Sequence, residues 1–126
     1  FSTTTNYNNY LEEIMQYHQD EAPLSHIKKF EILKGDAVDE LQKYLIEHPE
    51  TIIAFAYFDF DIYQPTKKCL ELIKNHLTKG TIIGFDELLD HEFPGETIAL
   101  KESLGTSNYQ IKRFSFSGIQ SYLRIL

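Results

Sequence analysis

TIIAFAYFDFDIYQPT, residues 51–66, passes without a break from an apolar run into a cluster of acids. Its first eight residues carry no charge and are rich in β-branched and aromatic side chains, the pattern of a strand buried on both faces, and such strands belong to parallel sheets. Ile52 to Phe58 is the longest uninterrupted apolar stretch of the chain, far below the roughly 20 residues that span a bilayer. Asp59, Phe60 and Asp61 come immediately after it. The carboxyl end of a strand is where open α/β sheets bind ligands, so the acids stand where chemistry is expected.

Working outward, Cys69, Leu70, Ile73 and Leu77 recur at helical spacing between Thr66 and Leu77, and Lys79-Gly80 ends that segment. TIIGF, residues 81–85, is a second buried strand and runs into Asp86-Glu87. Pro94 at a first helical position, Glu96 in the first turn, and Ile98, Ala99 and Leu104 ahead of Gly105 predict another helix. Two strands close the chain, 109–116 and 120–126. Only Ser117, Gly118 and Ile119 join them, too few for a parallel crossover, so they form an antiparallel hairpin. Upstream, Val38, Leu41, Tyr44, Leu45 and His48 predict a helix that Asp36 caps and Pro49 stops. Lys28 to Lys34 alternates as a short strand does, with Gly35 at its end, and residues 7–21 read as an amphipathic helix closed by Pro23. The order αβαβαβαββ predicts a Rossmann-like, doubly wound α/β fold: a mostly parallel sheet with a carboxyl-terminal antiparallel hairpin, in one domain over residues 1–126.

Composition agrees with one globular domain: 126 residues, 42% hydrophobic and 25% charged. Twelve basic against nineteen acidic residues give a net charge of −7, which argues against nucleic acid as a partner, since a phosphate-binding surface is basic. No apolar segment predicts a membrane span. The single cysteine, Cys69, cannot form an internal disulfide, and no signal-peptide pattern stands at the start, so a reducing cytoplasm is the expected setting. The chain opens at Phe1 rather than at a methionine, and it is read as a fragment.

Two strand ends, each with paired acids, make a divalent cation the economical expectation. Neighbouring strands lie about 4.8 Å apart, so Asp59, Asp61, Asp86 and Glu87 would come within reach of one ion. Like charges so close would raise one another's pKa values unless a cation neutralised them. Hard oxygen donors without thiolate or clustered histidine favour magnesium, calcium or manganese over zinc. The competing reading is that acids past a strand cap the next helix, a role open to Asp61 or Thr66. Asp36 after Gly35 is most simply a tight turn plus helix cap. His91, in the loop after Glu87, is a candidate base, whereas His18, His26, His48 and His76 have no ligand spacing. Cys69 falls on an apolar helix face and reads as inert, and Lys67, Lys68, Lys74 and Lys79 read as a solvated basic face. Tyr63, Gln64 and Pro65 form a stiff turn after the acids.

FDFDIYQPT (58–66), TIIGFDE (81–87) and FPGETIAL (93–100) together resemble class I S-adenosylmethionine-dependent methyltransferases, and more narrowly the macrocin O-methyltransferase group of metal-dependent sugar O-methyltransferases. The shared pattern is Asp-x-Asp-x-Tyr after one strand, two adjacent acids after the next, and Pro-Gly at the following helix. The resemblance implies that magnesium is held by Asp59 or Asp61 with Asp86 and Glu87. It further implies that Asp61, Asp59 or His91 takes the proton of a sugar or nucleotide-sugar hydroxyl, and that adenine of S-adenosylmethionine lies near Gly35, Asp36 and Ala37. The family's Gly-rich loop and its first two strands have no counterpart, so the resemblance implies the carboxyl-terminal half of such an enzyme, completed elsewhere or by a homo-oligomeric partner. No lysine base of the catechol branch stands between Asp59 and Thr66. Two other readings compete: a DxD glycosyltransferase, which uses Asp59 and Asp61 but gives no role to Asp86 and Glu87, and a non-catalytic α/β module in which the acids are caps.

Overall fold

The computed structural model describes residues 5–86, 88, 94–117 and 120–126. The chain divides into two compact units, residues 1–34 and 35–126.

In the first unit, helix α1 runs Thr5–Glu21. Buried Gln19 organises the segment after the helix: its Nε2 donates to the carbonyls of Ser25 (3.0 Å) and Ile27 (2.6 Å), and its Oε1 accepts from the Lys29 N–H (2.8 Å). The Lys29 ammonium donates to the carbonyls of Pro23 (2.8 Å) and Leu24 (2.9 Å). These bonds correct the sequence reading of 28–34. The segment is extended in pattern but is not a strand, because the Lys29 backbone is satisfied by a side chain instead of a ladder.

The second unit holds α2 (Ala37–Glu47), β1 (Ile53–Phe58), α3 (Tyr63–Ile73) with a 3₁₀ turn at Lys74–His76, β2 (Leu77–Phe85), α4 (Gly95–Leu104), β3 (Tyr109–Arg113) and β4 (Ser121–Ile125). The sheet order is β1-β2-β4-β3. β1 and β2 pair in parallel, β2 with β4 and β4 with β3 antiparallel, so the fold is mixed α/β with the expected hairpin at its carboxyl end. α3 starts three residues before the expected Thr66. Pro65 sits in its first turn, where its missing N–H costs no hydrogen bond. β2 begins at Leu77 rather than Thr81, and its extra residues bulge between the Ile53–Leu77 and Phe55–Ile82 pairs. The Thr81 hydroxyl closes that bulge, donating to the Ile53 carbonyl (2.7 Å) and accepting from the Thr78 N–H (3.0 Å).

One buried cluster joins Leu45 of α2, Leu70 and Ile73 of α3, and Ala99 and Leu100 of α4 to Phe58, Ile83, Phe85 and Leu123 of the sheet. The alternate residues of the same strands have another fate. Phe55 is 63% and Tyr57 46% exposed, which corrects the reading of residues 51–58 as buried on both faces: α2, α3 and α4 cover the other face of β1. α3 and α4 are locked together where the acids emerge. A Cβ on Gly95 would lie 2.9 Å from the Tyr63 nitrogen, so only glycine lets α4 start this close to the start of α3. The Tyr63 hydroxyl donates to Glu102, and Lys67 pairs with the same carboxylate at 2.9 Å.

Candidate functional site

Parallel pairing sets Phe58 opposite Phe85, and the Asp86 N–H continues the ladder by donating to the Phe58 carbonyl at 3.1 Å. The two strand ends therefore deliver Asp59 and Asp86 side by side. Asp61 joins them because it takes a left-handed conformation, φ 59°, which short acidic residues tolerate better than most. Each of the three carboxylates offers an oxygen, and all three oxygens lie within 4.8 Å of one another. Asp59 and Asp61 are exposed and Asp86 is half-buried.

None of the three acids caps a described helix. Ile62 precedes α3 and Pro94 precedes α4, and neither makes a side-chain cap bond. Thr66, the other suggested cap, lies inside α3 and donates to the Ile62 carbonyl at 2.8 Å. Loss of hydration beside its neighbours, and then the negative charges of Asp86 and Asp61, push the exposed Asp59 carboxyl above the usual range. That cost is what a cation would relieve, and three hard oxygens fit a divalent ion of the magnesium, calcium or manganese type.

Two residues the sequence reading missed hold Asp86. The Tyr57 hydroxyl donates to Asp86 Oδ1 at 3.2 Å, and Gln120 Nε2 donates to the same oxygen at 3.4 Å and to the Tyr57 hydroxyl at 3.3 Å. Burial, then the Asp86 charge, raises the Tyr57 phenol above its ordinary value, which keeps it a donor. Strand alternation is a usable signal for Tyr57, two residues before Asp59 and so on the same side. Nothing local marks Gln120, which depends on β4 lying beside β2.

Gly35 (φ 143°) makes the turn into α2, and Asp36 caps that helix, accepting from the N–H groups of Val38 (3.0 Å) and Asp39 (3.1 Å). Ala37 is the first residue of α2. Glu87 and His91, the remaining predicted metal and base residues, lie outside the described residues. Cys69 is 3% exposed, and burial, with the nearby charge of Asp36, pushes its thiol up to about 11. Lys67 departs from the reading of a merely solvated basic face: beside its Glu102 pair, its ammonium lies 5.5 Å from the centre of the Tyr63 ring.

No protein-family model matches the sequence, and no curated protein matches it. Solved structures do. The chain superimposes on the apo structure of CalS11, a TDP-rhamnose 3′-O-methyltransferase of calicheamicin biosynthesis, with a TM-score of 0.87 and 38% identity over 98% of its own length and 53% of that chain. A second structure, calicheamicin methyltransferase CalS11, gives a TM-score of 0.87 and 37% identity over 97% of this chain and 48% of that one. Fold and identity together make the chain similar to a portion of a sugar O-methyltransferase. It spans about half the length of the solved relatives.

Proposed function

We propose that residues 1–126 form the carboxyl-terminal part of a methyltransferase domain that transfers a methyl group from S-adenosylmethionine to a sugar or nucleotide-sugar hydroxyl with the help of Mg²⁺ or a similar cation. The observation that carries the reading is the convergence of Asp59, Asp61 and Asp86 at adjacent parallel strand ends, on a fold shared with a sugar O-methyltransferase. Asp59, Asp61 and Asp86 hold the cation, with Glu87 as a further ligand. A bound divalent ion orients a hydroxyl and lowers its pKa. Asp61 accepts the hydroxyl proton, with Asp59 or His91 as the alternative base. Tyr57 and Gln120 keep Asp86 turned toward the other two acids. Gly35, Asp36 and Ala37 border the adenine; Asp36 would do so while its carboxylate also caps α2. Cytoplasmic location and a homo-oligomeric state belong to the same proposal. Among the described residues, no helix is long and apolar enough to cross a membrane.

Participation of Asp86 also separates this reading from a DxD glycosyltransferase, which would need Asp59 and Asp61 alone. Calorimetric titration of Mg²⁺ into the chain tests it. Binding is expected in the wild type and at least about tenfold weaker in Asp86→Asn, because affinity follows ligand charge. Binding indifferent to Asp86→Asn returns the site to Asp59 and Asp61. A folded wild type that binds neither Mg²⁺ nor Mn²⁺ overturns the metal reading.

A further inference from the structure

Asp61 differs from Asp59 and Asp86 in that no strand positions it. Asp59 follows β1 directly and the Asp86 N–H continues the β1–β2 ladder, whereas Asp61 owes its place to a left-handed backbone, φ 59°. A residue other than glycine keeps that conformation where its surroundings over-determine it. Those of Asp61 do so from both sides. Before it, Phe60 packs against the core with its ring edge-on to Phe58, centres 6.1 Å apart. After it, the Ile62 carbonyl accepts from the buried Thr66 hydroxyl at 2.8 Å, and Tyr63 begins α3. Tyr63 is in turn held by α4 at two points. At its backbone, a Cβ on Gly95 would stand 2.9 Å from the Tyr63 nitrogen and 3.3 Å from the Ile62 carbonyl carbon, so α4 leaves this backbone no room to shift toward it. At its far end, the Tyr63 hydroxyl donates to Glu102, about two turns further along α4. Lys67 completes the contact. Its ammonium pairs with the same Glu102 oxygen at 2.9 Å and lies 5.5 Å from the centre of the Tyr63 ring, and its carbonyl accepts from the Ser103 hydroxyl at 3.4 Å.

We propose that Tyr63 and Glu102 are positioning residues through which α4 holds the Asp61 carboxylate within reach of the cation bound by Asp59 and Asp86. The side chains of Lys67 and Glu102 are 31% and 45% exposed, and exposed ion pairs add little to stability. The contact therefore acts on where the start of α3 sits, two residues from Asp61, more than on whether the chain folds. Hydrogen bonds from Tyr63 and then Lys67 hold the Glu102 carboxyl below its ordinary range, which keeps it an acceptor for both. The cation belongs to the methyltransferase reading, on which this inference rests in part; the hold of α4 on Asp61 stands without it.

Tyr63→Phe and Glu102→Ala each remove the bond and leave the core side chains in place. Two readouts are followed in residues 1–126: the backbone NMR shifts and HN–Hα coupling of Asp61, which report its φ, and Mg²⁺ affinity by calorimetry. In either variant Tm is expected to change by no more than a few degrees, while the Asp61 signals leave their left-handed values and those of β1 and β2 stay. Mg²⁺ affinity is expected to fall about tenfold. The two substitutions together should cost no more than either alone, and neither should weaken binding further in Asp61→Asn. Glu102→Gln leaves an amide oxygen for the Tyr63 hydroxyl and is expected to recover most of the loss. Asp61 signals unchanged in both variants overturn the proposal, and so does an affinity loss that persists undiminished in Asp61→Asn. A large fall in Tm with signals displaced throughout the core overturns it as well, since the contact is then structural. A folded wild type that binds no Mg²⁺ overturns the metal reading, and the Asp61 signals still decide whether α4 holds that residue.

Discussion

The two faces of the sheet are built from alternate residues of the same strands and meet opposite fates. Phe58, Ile83, Phe85 and Leu123 are buried beneath α2, α3 and α4, while Phe55 and Tyr57, on the other side of β1, stand largely in solvent. Hydrophobicity along β1 does not distinguish them. What does is which side α2, α3 and α4 pack on, so the contrast measures helical cover within the second unit rather than how apolar the strand is.

The sharpest way to break the comparison is to truncate one aromatic on each face. Phe85 is fully buried and stacks on Phe58 with ring centres 5.5 Å apart, so Phe85→Ala should lose about 3–5 kcal/mol in urea denaturation. Phe55→Ala should stay within about 0.5 kcal/mol. A comparable loss at both positions would show that the second face is covered in solution.

A smaller effect comes from the point where the open face touches the acids. A Cβ on Gly84 would lie 2.7 Å from Cδ2 of Tyr57, so the Tyr57 ring rests directly on the β2 backbone. Gly84→Ala should cost about 1–3 kcal/mol by forcing that ring aside, and combining it with Tyr57→Ala should recover part of the loss. Strict additivity of the two would mean that the ring moves freely. Tyr57→Phe keeps the ring and removes the hydroxyl's bonds to Asp86 and from Gln120. Stability should barely change, while Mg²⁺ affinity in calorimetry should fall by up to about tenfold. Unchanged affinity would leave Gln120 as the residue that orients Asp86.

Elements whose stabilising contacts lie within themselves or with the next element are legible in the sequence. α2 with its Asp36 cap and the acids at two strand ends emerge where spacing and strand-end position put them. The antiparallel hairpin emerges with β3 ending at Arg113, short of the expected Phe116, so that residues 114–120 connect its strands. Residues 28–34 mislead because alternation describes a strand only if a partner strand is present, and here Gln19, ten residues earlier, takes the Lys29 N–H. The single-sided burial of β1 is illegible for the same reason, since the sequence of a strand does not reveal which of its faces is covered. Tyr57 can be found from alternation with Asp59. Gln120 cannot, because its approach to Asp86 depends on an antiparallel strand arriving from 34 residues away.

The gentlest probe reads the covered face without altering it. Cys69 lies on α3 in the buried cluster with its thiol pushed up to about 11 from 9.0, chiefly by burial. By linkage, the folded chain holds the thiol proton more tightly than the unfolded chain does. This contribution to stability is therefore complete below pH 9 and is lost as pH rises through about 11. Only thiolate is alkylated, so near pH 9 Cys69 should react with iodoacetamide far more slowly than in urea-unfolded chain. In the native protein the reaction then reports transient opening of the helix-covered face. Phe85→Ala should accelerate it, because it loosens the core in which Cys69 sits, and Phe55→Ala should leave it unchanged. Acceleration by Phe55→Ala would mean that the two faces open together and that the sheet, not its helical cover, is the cooperative unit.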